Sequence, residues 1–404
     1  MFELSKDHED FRRVVRDFAE AQVAPHAARW DAQARFPVEL VPQLGDLGLF
    51  GLLAPEEYGG HGGDFTSLCV AIEELGRVDQ SVGITLSAGV GLGINPILTF
   101  GTAEQKDRWL PDLVAGRALA AFGLTEPEGG SDAGSTRTRA VLEDGPGGGT
   151  HGGTDEGASW VVDGAKAFIT NSGTPITSVV TVTARTGTRP DGTGEISTIL
   201  VPAGTPGLTV DPAYRKLGWH ASDTHGLHLA GCRVPAANLL GARGRGLAQF
   251  LAILDDGRIA ISALALGLAR ACLDAARAEA TTRTAFGRPI GANQGIAFSL
   301  ADVAVSVEAA RLLTYKAAWL KDEERAGRRT SAEVKQAAAI AKLYASEAAV
   351  TATRAATQVF GGAGFVEDSP VARFYRDAKI LEIGEGTSEI QRLVISRGLG
   401  LPVL

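Results

Sequence analysis

Tyr375-Arg376-Asp377-Ala378-Lys379-Ile380-Leu381-Glu382-Ile383-Gly384-Glu385-Gly386-Thr387-Ser388-Glu389-Ile390-Gln391 sets one carboxylate, Glu385, between two glycines just ahead of a helix start. Ser388 and Gln391 have capping-box spacing, which predicts a final helix from about Glu389. Glycine on both sides removes Cβ contacts, so the backbone is free to take unusual angles and a flat ligand can approach the main chain. On these residues alone two readings stand: an exposed interhelical loop whose acid favours the positive end of the helix dipole, or a carboxylate that meets a ligand directly.

Upstream, the chain is Ala-rich from Pro235 onward. Leu251, Leu254, Ile261, Leu264, Ala265 and Leu268 mark one long helix; Leu300, Val303, Val307 and Ala310 a second; Ile340, Leu343, Tyr344 and Ala348 a third; residues 389–395 begin a fourth. Helices of this length with small residues predict a close-packed bundle over residues 237–404. Over residues 120–236 short apolar or alternating runs (160–162, 167–170, 178–183 and 196–201) predict strands. Asp163-Gly164 predicts a tight hairpin between the first two. Residues 143–159, with seven glycines, predict a long exposed loop. Residues 1–119 read as a helical domain. Phe11, Val14, Val15 and Phe18 form one stripe, Leu68, Ile72 and Leu75 another, and Thr102 is placed to cap a helix over 104–113.

Composition bounds the function. A chain of 404 residues with 45% hydrophobic and 21% charged residues exceeds what one core organises, which predicts two or three domains. A formal net charge of -8 lacks the basic surplus that nucleic-acid binding uses. Cys69, Cys232 and Cys272 are odd in number and make no C-x-x-C pair, so a reducing, cytoplasmic setting is expected. The first twenty residues lack the apolar core of a signal peptide. The Ala-rich segments are broken by Arg, Asp and Glu, so no bilayer-crossing stretch and no membrane insertion are expected. One G-x-G-x-x-G match, at Gly147, Gly149 and Gly152, leads into a strand rather than opening a helix, which argues against a dinucleotide turn. His225-x-x-His228 would project to opposite faces of a strand, so no metal site is expected. Ser131 is followed two residues later by Ala133, not the second glycine of a nucleophile elbow.

The segment from Arg376 resembles the signature of the FAD-dependent acyl-CoA dehydrogenase family, R-D-A-K-I, a short spacer, then E-G-T-S-E-I-Q. Leu124-Thr125-Glu126-Pro127-x-x-Gly130-Ser131-Asp132 is similar to that family's first flavin segment and Ala167-Phe168-Ile169-Thr170-Asn171 to its second. Arg283-x-x-Phe286-Gly287-Arg288-Pro289-Ile290 with Gln294, and Gln358-Val359-Phe360-Gly361-Gly362-x-Gly364, resemble the segments that hold the flavin's pyrophosphate and adenosine. The motifs occur in the family's order over nearly the whole chain. The resemblance implies a multidomain α+β fold with an N-terminal α-helical domain, a middle β-barrel-like domain and a C-terminal four-helix bundle. It further implies FAD, an acyl-CoA substrate, an electron-transfer flavoprotein as electron acceptor, and a homotetramer built as a dimer of dimers.

Residue by residue, the resemblance makes Glu385 the base that removes the substrate α-proton. Around the flavin it sets Phe122, Leu124, Thr125, Gly130, Ser131, Phe168, Ile169 and Thr170 from the β domain. From the helical part it adds Arg283, Phe286, Gln294, Gln358, Gly361, Gly362, Thr387 and Glu389, with Arg283 acting on a neighbouring subunit's flavin. Around the substrate it sets Ser131, Asp255, Arg258, Gly384 and Gly386. Each has a physical reading beside the familial one. Thr125 and Ser131 are donors in a Gly-rich turn, or an ordinary polar turn. Phe168 stands where many relatives carry Trp against the flavin, or packs in the core. Arg283 is a forked cation suited to ADP, or a solvated helix end. Asp255 and Arg258 contact the pantetheine arm, or are a surface charge cluster. Some relatives, those acting on isovaleryl groups among them, carry their catalytic Glu at the position of Gly257, which leaves Glu385 as the base here.

A thioester α-proton is far less acidic than a carboxylic acid of reference pKa about 4.3, so the enolate needs stabilisation as it forms. The resemblance implies two donors to the thioester carbonyl, the Glu385 N–H and a flavin ribityl hydroxyl, and removing one such donor typically costs about 3 to 4 kcal/mol. The β-hydrogen leaves as hydride to the flavin. Burial is expected to raise the Glu385 pKa. The alternatives are an acyl-CoA oxidase or flavin monooxygenase on the same scaffold, or a non-catalytic flavin or acyl-CoA binding subunit. Gly384, where many straight-chain enzymes carry Tyr, predicts a wider pocket admitting branched or bulkier acyl groups. Residues 81–96 contain no Arg or Lys, which argues against a dicarboxylic substrate.

Overall fold

Polar caps open several of the helices. The computed structural model describes residues 3–144 and 157–403. Its N-terminal part holds α1 (Lys6–Phe18), α2 (Ala24–Gln33), α3 (Leu40–Asp46), α4 (Phe65–Val78), α5 (Gln80–Ala88), α6 (Asn95–Phe100) and α7 (Ala103–Val114). Ser5 and Asp64 cap α1 and α4, and Thr102 forms a full capping box with Gln105 at α7. The α1 stripe is narrower than its spacing predicts: Val15 is buried, but Val14 lies half exposed because α1 rests on the outside of α4. Helix α4 buries Leu68, Ile72 and Leu75 on one side and Glu73 and Glu74 on another. Those two carboxylates meet Arg12, Arg16 and Arg270, the pairing that buried charges require.

Between the helical parts lie β1 (Leu119–Gly123), β2 (Arg139–Glu143), β3 (Ser159–Thr170), β4 (Thr177–Thr188), β5 (Gly194–Pro202), β6 (Leu208–Val210), β7 (Thr224–Pro235) and β8 (Leu239–Leu240). They form one sheet in the order β6-β7-β3-β2-β4-β5-β8, with β1 parallel to β4 off that path. The hairpin expected at Asp163-Gly164 is absent, and both flanking runs belong to the continuous strand β3. Gly164 sits at φ 153°, the β3–β7 ladder slips beside it, and a Cβ there would stand 2.5 Å from Thr138 Oγ1. The glycine serves a bulge and a close backbone approach, not a turn. Most of the 143–159 loop, with Gly147, Gly149 and Gly152, lies outside the described residues.

The C-terminal part comprises α8 (Gly246–Thr282), the short hairpin β9 (Thr284–Ala285) and β10 (Arg288–Pro289), then α9 (Gln294–Arg325), α10 (Ser331–Phe360), α11 (Pro370–Ala378) and α12 (Ser388–Gly398). Helices α8, α9 and α10 pack on one another, α11 and α12 lie on α10, and α4 lies on α8, so bundle and N-terminal domain share one core. The buried face of α10 is its alanine face, Ala338, Ala341, Ala345, Ala349, Ala352 and Ala356, whereas Tyr344 is exposed and Ile340 and Leu343 are half-buried. Small side chains let the helix axes approach closely and push the larger ones to the flanks. Leu251, expected inside, is exposed near the start of α8.

Two helical spans correct the membrane reading of the sequence. Gln80–Phe100 and Gly246–Thr282 are long and apolar enough to cross a bilayer by length and composition, with hydropathies of 1.5 and 1.7. In each, 78% of the apolar window is buried inside this fold, so both serve as core helices.

Candidate active site

Glu385 has φ 55°, a left-handed conformation that costs a non-glycine residue roughly 1 to 2 kcal/mol. Such strain persists where the surroundings over-determine it. Gly386 follows at φ 89°, where a Cβ would stand 2.8 Å from Gln391 Nε2. The buried Gln391 amide donates to the carbonyls of Glu385 (3.1 Å) and Gly386 (2.8 Å), and Lys342 Nζ donates to Gly386 O at 2.7 Å. Gln391 is thus spent on the turn and not on a capping box. The cap of α12 is Thr387, whose hydroxyl accepts from Ile390 N, one residue before the expected Ser388. Thr387 and the exposed Glu389, both expected at the flavin, use their side chains at this helix start.

The turn aims the Glu385 side chain at α8. A Cβ built on Gly257 would lie 2.3 Å from Glu385 Oε2, so the carboxylate rests on the bare Cα of that glycine. Oε2 is shut from solvent and has no hydrogen-bond partner, as are Ser388 Oγ, Gln391 Oε1 and Arg258 Nε nearby. Desolvation lifts the Glu385 pKa to about 7 against the opposing charges of Arg258 and Lys342. Arg258 is buried and paired with Asp255, whose carboxyl burial pushes upward. The charge cluster is therefore internal and bears on Glu385. Gly384 leaves room, since a Cβ there would meet only Ile380 O, at 3.5 Å.

The two β-domain segments come together at the end of β1. Ala167 N donates to Thr125 O at 2.9 Å, which sets Thr125 beside Phe168. Glu126 accepts from Arg137 N, Thr138 N and Lys166 Nζ, the last at 2.7 Å, and Lys166 also reaches Leu124 O and Thr183 Oγ1. This buried pair, in which desolvation lowers the Lys166 pKa to about 8, pins the turn and leaves Gly130 and Ser131 on the surface. Sequence reading gave neither Glu126 nor Lys166 a role. The available signal was a charge at an inward position of a strand flanked by apolar neighbours.

Phe168 is thrown outward by a second slip in the β3–β7 ladder: its φ is 61°, its ring is 65% exposed, and the Tyr214 ring lies 5.0 Å away. Thr170, two residues after Phe168, and Leu124, next to Thr125, are half-buried. Two expected flavin residues point elsewhere. Ile169 is buried in the sheet core, and the Phe122 ring stacks on Phe250 at 3.8 Å, because strand alternation sends both inward and leaves only their main chain for a ligand.

Arg283 donates to Phe360 O at 2.9 Å, bringing the third and fourth segments together. Phe286, at φ 54° on the β9–β10 turn, is fully exposed, and Gln294, Gln358, Gly361 and Gly362 are exposed with it. Among the described residues no hydrogen bond or ion pair joins this group to Thr125 or Phe168.

The opening half of the signature is a structural joint that sequence reading missed. Arg376 pairs with Asp31 of α2 at 2.6 Å and touches His220, while Asp377 Oδ1 accepts from Trp219 N at 2.6 Å. Gly218 approaches so closely that a Cβ would lie 2.5 Å from Arg376 O. All three parts of the chain meet there, and burial lifts Asp377 to about 7. Of the two histidines weighed as a metal pair, His225 bonds Asp223 and Asp211 O, and His228 bonds Asp211 Oδ2.

Comparison with known proteins follows the same division. The acyl-CoA dehydrogenase N-terminal, middle and C-terminal domain families match residues 5–117, 121–232 and 244–400. A probable acyl-CoA dehydrogenase of Bacillus subtilis is 47% identical over 398 residues, covering 98% of this chain and 99% of its own. The mitochondrial short-chain specific acyl-CoA dehydrogenase of Mus musculus is 43% identical, with 98% of this chain and 90% of its own covered. The solved butyryl-CoA dehydrogenase from Megasphaera elsdenii superimposes with a TM-score of 0.89 at 40% identity, covering 99% of each chain.

Proposed function

This chain belongs to the acyl-CoA dehydrogenase family, and from that premise we propose that it oxidises a short acyl-CoA to the trans-2-enoyl thioester, with Glu385 removing the α-proton. One observation carries the assignment: a carboxylate held in a strained turn over Gly257, its Oε2 buried without a partner and its pKa lifted to about 7. A base of that pKa holds a proton more tightly than an ordinary Glu, yet is substantially ionised near neutral pH. When it takes the α-proton its own charge is lost, and Arg258 and Lys342 remain as cations beside the negative charge that has moved to the substrate. The Glu385 N–H is the protein donor to the thioester carbonyl in this reading.

FAD is the cofactor. The exposed Phe168 ring suits a flat ligand, Thr125 O is bonded by the N–H of the adjoining Ala167, and Gly130, Ser131 and Thr170 would add polar groups to the flavin site. Bound there, FAD would supply the hydride acceptor for the β-hydrogen. Arg283, Phe286, Gln294, Gln358, Gly361 and Gly362 would hold the pyrophosphate and adenosine of a neighbouring subunit's FAD, which makes a homotetramer part of the reading. The Megasphaera and mouse relatives support a short acyl group, and the space at Gly384 leaves room for a branch. Electrons pass to an electron-transfer flavoprotein, and three buried free cysteines support a reducing, cytoplasmic setting.

The test is anaerobic mixing with butyryl-CoA. Wild type bleaches its flavin, and Glu385→Gln keeps FAD while bleaching is nearly abolished. Bleaching by the variant at the wild-type rate overturns the base assignment. Peroxide release matching turnover in air would identify an oxidase instead.

A further inference from the structure

Lys342 lies mid-way along α10, fully buried on the helix's alanine face between Ala338, Ala341 and Ala345. Among the described residues it has no carboxylate within ion-pair distance. A buried ammonium without a paired anion is costly, and a packing role alone would be met by a Met of similar length. Its one hydrogen bond among the described residues goes to Gly386 O at 2.7 Å, the carbonyl that Gln391 Nε2 also reaches at 2.8 Å. Two donors from two helices thus fix the peptide that follows Gly386, one residue on from Glu385, and Glu385 is the residue held left-handed with its carboxylate on Gly257.

We propose that Lys342 is a positioning residue for the reaction: it clamps the Gly386 carbonyl, so holding the Glu385 carboxylate over Gly257, and places an ammonium group on the same turn. The proposal rests on the reading of Glu385 as the base. The charged groups acting on Glu385 are Arg258 from α8 and Lys342 from α10; burial lowers the Lys342 pKa to about 8, with Glu385, Arg258, Glu382 and Glu389 acting on it in turn, so Lys342 is a cation throughout the acidic limb. Both cations favour the ionised carboxylate, so loss of Lys342 raises the Glu385 pKa further and shifts the loss of activity on acidification to higher pH.

The experiment compares FAD-loaded wild type, Lys342→Met, Lys342→Gln and Glu385→Gln in flavin bleaching by butyryl-CoA, as a function of pH. Lys342→Met is expected to keep its FAD and its KM, to bleach about 100-fold more slowly, as a base displaced by an ångström would. Its acidic limb should move up by about one pH unit. Lys342→Gln, which retains a donor but no charge, recovers part of the rate and none of the limb shift. It also keeps the test alive if the Met variant fails to fold. Wild-type rates and limb in both Lys342 variants overturn the proposal, as does a defect confined to KM or to FAD content. Glu385→Gln separates the two readings: if it is inactive while Lys342→Met behaves as wild type, only the role of Lys342 falls.

Discussion

Glu385 and Gly257 share one site in space: the carboxylate of the first occupies the volume that a Cβ on the second would need, 2.3 Å from Oε2. Because Gly257 is buried in α8 and its neighbour Arg258 is locked to Asp255, the helix cannot yield, and the carboxylate must. Gly257→Ala is therefore expected to keep fold and FAD while slowing bleaching by about 10- to 100-fold through misplacement of the base. Stopped-flow absorbance at the flavin band reads it. An Ala variant with an unchanged rate would mean that Glu385 acts from some other position.

The pH dependence has a definite sign. Glu385 has its folded pKa raised to about 7 from 4.5 by desolvation, so folding favours its protonated form. Its ionisation therefore costs stability, a cost absent below about 4.5, growing as pH rises to 7 and fully present above. Activity runs the other way, falling as pH drops below about 7 and the base fills. Glu385→Gln should consequently be more thermostable than wild type at pH 8, by a margin that closes toward pH 5. The difference between the two melting curves isolates this residue from Asp377, which titrates in the same region. A margin that stays constant with pH would contradict the raised value.

Much of the fold was legible because local chemistry and tertiary packing agree: Thr102 caps its helix as spaced, and Leu68, Ile72 and Leu75 all face the core. Reading failed where a tertiary neighbour decided the outcome. Asp163-Gly164 has turn chemistry, but Thr138 pressing on Gly164 makes it a bulge. The alanines of α10 won its buried face over Ile340 and Tyr344 through close helix approach, which periodicity alone does not weigh. In the site, Glu385 was visible as a carboxylate between glycines. Lys342 and Lys166 were not, since a lysine in a helix or strand pattern reads as a solvated charge until its carbonyl or carboxylate partner is known. Arg376 and Asp377 were read with the signature's chemistry, yet their partners, Asp31 and Trp219, are hundreds of residues or one domain away.

The start of α12 separates two hydroxyls that sequence spacing left adjacent. Thr387 accepts from Ile390 N, whereas Ser388 Oγ is buried with no partner. Thr387→Ala should lose about 1 kcal/mol of stability. Ser388→Ala, which removes an unsatisfied group, should lose none. Urea unfolding of the two variants decides the cap, and a loss in Ser388→Ala with none in Thr387→Ala would return the role to Ser388.

Phe168 combines strain with exposure: φ 61° and a ring 65% exposed are both unfavourable in the protein alone. Glycine adopts that backbone freely, so Phe168→Gly should raise the stability of the FAD-free protein by about 1 kcal/mol. The same change removes the only exposed face on β3 against which an aromatic ligand can stack, and FAD should bind about 10-fold more weakly, the size expected for loss of one ring contact. Calorimetry of the apoprotein and fluorescence titration with FAD measure the two effects separately. Opposite signs mean that the strand carries the strained ring for the ligand's sake. Destabilisation of the apoprotein with unchanged FAD affinity would make Phe168 a packing residue and remove it from the flavin site.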